Sequence, residues 1–397
     1  MDKKTKSSIS CNNEKRDLTL PEKANKSLSE IQKNIFNLCN IKVRGKMHSV
    51  GGHSDWIRDI ALTHNSHRFI SASDDNTARL WDIKTGRCLK VYTGHTKTVR
   101  AVAVTLDDKY LVTGSWDKTI RIWTLDTGEC LRVLKGHTAR IRSIVLCPSG
   151  DYIYSASEDK TVRKWQFNEG NCIVCFKGHT KAVRVVTLSP DGENIYTGGE
   201  DSIIRKWDAN TGKFIAEMRE HNGEVFSLCI NNKGTIMFSG GKDGILRLWD
   251  LKKGKCVEKF AGHKNWIMSI SLSHDEKKVL SADLDGVMKV WEPSVKKCSF
   301  TYGGPTWSVN AVRFTKDGKK CVFSSEHRTA VLDLDSGNCI KDFKGHSKNV
   351  ASLSLNKKNN IIATGGWDGV VNVWDIKRKI LINTMEIQRN GRPQKRL

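Results

Sequence analysis

The chain has 397 residues, and its 66 Lys and Arg outweigh 43 Asp and Glu to give a net charge of +23. It contains no run of 18 apolar residues, and its Lys- and Ser-rich start has no apolar core, which argues against a membrane-spanning helix and a secretory signal. The expectation is an intracellular protein with no membrane partner, cytoplasmic with the nucleus as the alternative, whose charge favours solubility and acidic partners.

In chain order, residues 1–26 are polar and aperiodic, and predict disorder. In SLSEIQKNIFNLC, Ser27 and Glu30 make a capping box, and Leu28, Ile31, Ile35 and Leu38 share one face. This predicts a short helix packed on the rim of the domain C-terminal to it, with a separate partner-binding helix as the alternative. Residues 43–50 read as a weak strand. The expected division is a basic tail over 1–42, a repeat domain over 43–386 and a basic tail over 387–397.

From Gly51 to Met385 the chain is eight copies of a frame of about 42 residues. The clearest runs from Gly94 to Trp123, GHTKTVRAVAVTLDDKYLVTGSWDKTIRIW. Its closing Trp recurs at Trp81, Trp165, Trp207, Trp249, Trp291 and Trp374, while the seventh copy in order has Leu332. Runs such as VRAVAV, KYLVTGS, TIRIW and CLRVL, separated by turn residues at Asp107-Asp108, Asp117-Lys118 and Thr127-Gly128, predict four strands per copy. One such sheet cannot cover both its faces, so neighbours stack and a ring of them closes. The period, with Gly-His early and Trp-Asp late, signals propeller blades. The expected fold is all-β, a closed β-propeller of eight four-stranded antiparallel blades, with seven as the alternative. The last blade takes its outer strand either from Leu381–Met385 or from residues near Met47.

Six of the 12 cysteines, Cys88, Cys130, Cys172, Cys256, Cys298 and Cys339, keep the repeat period. They are expected to be small buried hydrophobes rather than disulfides or zinc ligands. The Cys172/Cys175 CxxC pair falls within a strand, where the two side chains cannot share a face. No metal and no cofactor are expected.

The Trp-Asp pairs at Trp81-Asp82, Trp207-Asp208, Trp249-Asp250 and Trp374-Asp375 make the chain resemble the WD-repeat (Trp-Asp repeat) β-propeller family. The resemblance implies a buried hydrogen-bonded tetrad in each blade. The residues filling it are His53, Ser71, Asp75 and Trp81; His95, Thr113, Asp117 and Trp123; His137, Ser155, Asp159 and Trp165; and His179, Thr197, Asp201 and Trp207. The remaining sets are His221, Ser239, Asp243 and Trp249; His263, Ser281, Asp285 and Trp291; and His346, Thr364, Asp368 and Trp374. A buried indole N–H needs an acceptor, a hydroxyl accepts it and donates onward, and an Asp fixes the imidazole tautomer. A nucleophile is not needed seven times over, so these are structural sets rather than hydrolase triads. The seventh copy has Pro305 for His and lacks the Asp and Trp, yet Ala311, Val312, Phe314, Val322, Phe323 and Val331 predict a packed blade.

Two positions of each repeat are expected on the upper face. The residue five after the His reads Arg58, Arg100, Arg142, Arg184, Phe226, Met268, Asn310 and Ala351. The residue before the turn Asp reads Asp74, Trp116, Glu158, Glu200, Lys242, Leu284, Glu326 and Trp367. Trp56, Trp116, Trp266, Trp307 and Trp367 stand outside the tetrads, in loops. Arginine suits bidentate capture of carboxylate or phosphate, and Trp and Met supply burial. The other reading is that Arg58, Arg142 and Arg184 merely pair with Asp74, Glu158 and Glu200. The candidate partner-binding set is Arg58, Arg100, Arg142, Arg184, Trp56, Trp116, Phe226, Trp266, Met268 and Trp367.

The expected function is a non-enzymatic protein–protein scaffold working within a complex, its upper face suited to an acidic or phosphorylated segment. The alternative is a nucleic-acid or ribonucleoprotein-associated subunit, suggested by the net charge and by the basic run Lys377-Arg378-Lys379 and Arg389 to Arg396. About half the charge excess sits in the tails, which weakens that alternative. An enzyme with a small-molecule substrate would need a cluster of titratable residues outside the repeated frame, and none is evident.

Overall fold

The β-branched runs and their turn residues build eight four-stranded antiparallel sheets, each a meander from an inner to an outer strand. The computed structural model describes residues 52–303, 308–356 and 360–385. The chain divides into the units Met1–Lys42 and Val43–Leu397. The expected tail helix over 27–39, the weak strand over 43–50, Pro305 and Trp307 lie outside the described residues.

Blades one to four run Ile57–Tyr92, Val99–Leu134, Ile141–Lys177 and Val183–Met218; blades five to eight run Val225–Phe260, Ile267–Gly303, Val309–Lys344 and Val350–Met385. In the turn before the third strand, Asn76, Lys118, Lys160 and Ser202 adopt φ of 69, 75, 70 and 66°. Blades five, six and eight use glycine there, which reaches that region without a Cβ penalty.

The core lies between blades. Ile70, Ala72, Leu80 and Tyr92 of blade one pack on Val99, Val102, Leu111 and Trp123 of blade two, and similar clusters fill the other seams. The last seam is built the same way, with Ile57, Ile60, Phe69 and Trp81 against Ala363, Val371, Val373 and Met385. At Gly365 any Cβ would come within 2.5 Å of Ile57, so glycine permits this approach. Ser352 Oγ accepts from Ile60 N (3.1 Å), and Asn383 Nδ2 donates to Ile83 O (2.6 Å). Of the two closures the sequence left open, the C-terminal one is found. Ile380–Met385 pairs with Val371–Asp375 as the outer strand of blade eight.

The tetrads tie the loops to the sheets. In blade two, Trp123 Nε1 donates to Thr113 Oγ1 (2.9 Å), which lies 2.7 Å from His95 Nε2; His95 Nδ1 lies 2.7 Å from Asp117 Oδ2. In blade three the corresponding distances for Trp165–Ser155, Ser155–His137 and His137–Asp159 are 2.8, 2.7 and 2.7 Å. Satisfying every atom places the imidazole proton on Nδ1 in both. In blades one to three a threonine two after the Asp also binds it, as Thr119 Oγ1 does at 2.6 Å. Blades four and five have Ile203 and Ile245 there, and Arg205 and Arg247 reach the freed Asp201 and Asp243 at 2.7 and 2.6 Å. In blade seven the strand positions of the network are apolar. By strand register Phe323 occupies the hydroxyl position, Leu332 the Trp position and Ala330 that of Arg121, all buried.

Two expectations are corrected. In blade six the tetrad acid is Asp283, 2.7 Å from His263 Nδ1, whereas Asp285 binds Asn265 Nδ2 on the exposed side. Asp283 sits on the second strand where other blades carry Ser or Gly. From there it reaches the imidazole directly and also accepts from Asp285 N and Val287 N. The periodic cysteines are free but not buried: Cys172 is exposed and the other five are half-buried. They lie on the outer strand of each blade, where the five half-buried ones pack against the edge of the seam clusters, and Cys88 Sγ lies 3.3 Å from Lys90 O.

Candidate partner-binding face

Every inner strand begins with a β-bulge, such as the register shift between Ile57 and Asp59. The bulged residue is the one five after the tetrad His, and a bulge re-aims such a side chain. The residue before the turn Asp is brought alongside by one backbone bond. Asp74 N donates to Trp56 O (2.8 Å), Trp116 N to Thr98 O (2.9 Å) and Trp367 N to Asn349 O (2.7 Å). The two positions singled out in each repeat are therefore neighbours.

Their side chains meet in three of the four arginine blades. Arg58 forms a bidentate pair with Asp74, Nε–Oδ1 2.7 Å and Nη2–Oδ2 2.5 Å. Arg142 pairs with Glu158, and Arg184 with both Glu200 (2.6 Å) and Glu224 (3.1 Å). The ion-pair reading of Arg58, Arg142 and Arg184 thus describes their geometry. Arg100 differs, because Trp116 stands where its carboxylate would be. Among the described residues its Nη1 donates to Arg58 O, at 3.4 Å, and to no carboxylate. Burial pushes its pKa down, the Asp59 carboxylate partly offsets this, and Arg142, Arg58 and Arg184 push it down further.

Aromatic rings fill the spaces between these guanidinium groups. Trp56 and Trp367 stack with centroids 4.4 Å apart and planes 4° apart. Arg58 lies 5.0 Å from the Trp56 centroid and 5.6 Å from that of Trp116, and Arg140 covers Trp116 at 4.5 Å. A cation over an aromatic face is attracted by the ring quadrupole. The result is a continuous surface over blades eight, one, two and three. The indole N–H groups of Trp116 and Trp367 have no hydrogen-bond partner among the described residues. Across the ring, Phe226 and Trp266 pack at 5.7 Å, with Arg184 5.9 Å from Phe226 and Lys242 4.8 Å from Trp266. Met268 is half-buried on the adjoining bulge. The loop tryptophans Trp56, Trp116, Trp266 and Trp367 are half-buried rather than freely exposed.

Arg140 was missed in the sequence because it precedes the bulge by two positions and belongs to neither repeated site. Among the described residues no group of His, Cys, Asp and Glu could hold a metal ion, and no helix is long and apolar enough to cross a membrane.

Eight stacked four-stranded blades with a repeated His, hydroxyl, Asp and Trp network define a WD-repeat β-propeller. The family model described as "TEP-1 second beta-propeller" matches residues 103–303, and that described as "WD domain, G-beta repeat" matches 45–82 and 337–375. The chain belongs to the WD-repeat β-propeller family. It is similar to a guanine nucleotide-binding protein subunit beta of Schizosaccharomyces pombe, 34% identical over 65 residues, 16% of this chain and 21% of that protein. It is also similar to a THO complex subunit 6 homolog of Danio rerio, 28% identical over 82 residues, 20% of this chain and 25% of that protein. The chain thus spans only about a fifth to a quarter of the curated relatives it matches. Among solved structures it is similar to the computationally designed Ika8 protein, with a TM-score of 0.74 and 26% identity, covering 83% of this chain and 98% of that one.

Proposed function

We propose that the protein is a non-enzymatic interaction scaffold, resident in the cytoplasm, that holds protein partners on the upper face of its ring. The observation that carries this reading is the surface of Trp367, Trp56, Arg58, Trp116 and Arg140, in which stacked rings alternate with guanidinium groups. Aromatic and arginine side chains on one half-buried surface have the composition of interface hot spots. Rings already stacked lose little freedom when a partner covers them. The names of the two relatives, a protein subunit and a complex subunit, support a role inside an assembly.

The paired carboxylates sharpen what the partner must be. Because Arg58, Arg142 and Arg184 are already neutralised by Asp74, Glu158 and Glu200, the face favours a largely apolar segment with few acidic groups over a strongly acidic one. Acidic or phosphorylated side chains on that segment would find their best partner in Arg100.

Affinity capture of the full chain from its own lysate, with and without nuclease, tests the reading. Proteins that persist after nuclease and are lost with Trp56→Ala or Trp116→Ala support it. Capture emptied by nuclease favours the nucleic-acid-associated alternative, and capture unchanged in both tryptophan variants moves the site elsewhere.

A further inference from the structure

The inner strand of blade two begins at its bulge on the upper face and ends at Val104, so the turn that follows lies on the lower face. There the seam between blades two and three opens into a cavity of about 650 Å³, a volume typical of ligand sites. Tyr110 and Phe167 line it, their ring centroids 5.4 Å apart and their planes at 64°. Leu106 in the turn also lines it and is 65% exposed. At the same position of the repeat the other blades carry histidine, proline, asparagine or lysine.

The next seam shows what such a place can hold. Between blades three and four Lys164 is only 3% exposed, its Nζ lies 3.9 Å from the Tyr152 centroid, and it donates to Asn210 Oδ1 at 3.4 Å. A ring face and an amide oxygen thus hold a buried ammonium. One repeat earlier the ring and the amide are kept, as Tyr110 and Asn168, but Ile122 replaces the lysine. The strand register is the same in both blades, Val112 facing Ile122 as Tyr154 faces Lys164. Tyr110 and Asn168 both line the cavity, and the side-chain amide of Asn168 makes no hydrogen bond among the described residues. The seam between blades two and three therefore keeps the ammonium-holding groups and lacks the ammonium.

The charges around the cavity point the same way. Asp107 and Asp151 line it, and no lysine or arginine does, in a chain of net charge +23. Asp107 is shared with Thr105 Oγ1 (2.6 Å) and Lys109 Nζ (3.7 Å), and the imidazole in the lining, His64, is bound to Asp108 at 3.2 Å. Asp151 is exposed, and its carboxylate has no partner among the described residues. A free carboxylate beside ring faces attracts a cation, whereas the basic surface elsewhere repels one.

We propose that this cavity is a docking site for a partner segment carrying a lysine beside a large apolar residue. The lysine stem packs along Tyr110 and Phe167, and its ammonium takes the ring face, Asn168 and Asp151 as partners, much as Lys164 takes Tyr152 and Asn210 one seam on. The apolar neighbour covers Leu106, which the ring itself leaves in water. Because the site is on the opposite face from Trp56 and Trp116, it stands or falls independently of the upper-face reading.

Ligand-observed NMR titration of the full chain tests the site with three probes: the peptide acetyl-Leu-Lys-Leu-amide, the same peptide with norleucine for lysine, and n-hexylamine. The lysine peptide should bind, and the norleucine peptide, which keeps the stem without the charge, should bind about tenfold more weakly. Asp151→Asn, in an exposed turn, should fold as the wild type does and weaken the lysine peptide about threefold or more. Tyr110→Ile, the residue that blades five and eight carry, should weaken it about tenfold. Ile122→Lys supplies the ammonium from within, as blade three does, and should abolish binding. Glu193→Gln, the same loss of charge one blade on, should leave binding unchanged. Equal binding of the two peptides, or binding that survives both Asp151→Asn and Tyr110→Ile, overturns the proposal. Hexylamine bound as tightly as the lysine peptide overturns the partner segment in favour of a small amine.

Discussion

Blades two and seven have the same four strands and pack against their neighbours in the same way, but their interiors are built from different chemistry. Blade two buries an indole N–H, a hydroxyl, an imidazole and a carboxylate, each satisfied by the next. Blade seven places Phe323 and Leu332 at the register positions of the hydroxyl and the indole. Removing one member of a buried polar network strands its partners, whereas exchanging the members together for apolar groups is close to neutral. This explains how one repeat can lose the signature of its family and remain a blade.

The contrast is broken most strongly from the polar side. Trp165→Ala removes a fully buried ring from the seam with blade two and strands Ser155 and His137, and should cost about 3–5 kcal/mol in denaturant unfolding. Leu332→Ala in blade seven loses fewer apolar contacts and no hydrogen bond, and should cost about 2–3 kcal/mol. Equal costs would mean that the network adds nothing beyond packing.

Blade six supplies a sharper comparison, because two aspartates compete for one role. Asp283→Ala should cost about 1–3 kcal/mol by leaving His263 and two backbone N–H groups without an acceptor, and Asp117→Ala should cost the same in blade two. Asp285→Ala, which removes only an exposed contact to Asn265, should stay within about 0.5 kcal/mol. Melting temperatures in the reverse order would restore the assignment that spacing alone suggests.

Acid should unfold the polar blades first. Burial alone would raise the carboxyls of Asp75, Asp117, Asp159, Asp201 and Asp243, but bonds from their histidines and nearby donors more than offset it and hold them well below the usual range. Burial likewise pushes His53, His179 and His221 down, so these rings stay neutral as the pH falls below about 6.5. Both groups bind fewer protons folded than unfolded. Their stabilisation is therefore present above the unfolded values and is lost as pH falls, from about 6.5 for the histidines and about 4 for the carboxylates. Asp117→Asn should flatten the fall in unfolding free energy between pH 5 and 3, while Leu332→Ala should shift the curve without changing its slope.

The fold was legible because the signals were redundant. Seven copies carried His, hydroxyl, Asp and Trp at constant spacing, and the apolar strands of the eighth aligned with them. The exceptions were not legible. Spacing chose Asp285 over Asp283 because it measures distance along the chain, whereas the imidazole selects whichever carboxylate the strand turns toward it. Arg205 and Arg247 joined their tetrads only because Ile203 and Ile245 left an aspartate oxygen free, a coupling visible only once the strands are paired. At the candidate face the four arginines and the three carboxylates that pair with them were read from the repeat. The stacking of Trp56 on Trp367 was not, since it joins the first blade to the last.

The smallest expected effect isolates the apolar blade. Ser324 and Thr329 face each other across the second and third strands of blade seven, both buried, and neither hydroxyl has a partner among the described residues. They stand at the register positions of Gly114 and Ile120 in blade two, beside the tetrad rather than in it. Thr329→Val keeps the shape and β-branching of the side chain while removing the unsatisfied oxygen, so the folded protein should gain up to about 1 kcal/mol. The same exchange at a tetrad position of blade two, Thr113→Val, removes an oxygen that serves both Trp123 and His95 and should cost about 1–3 kcal/mol. Opposite signs for one substitution at two sites in the same ring would show that burial alone does not decide the value of a hydroxyl. A loss at Thr329 similar to that at Thr113 would mean that blade seven retains a polar partner for it.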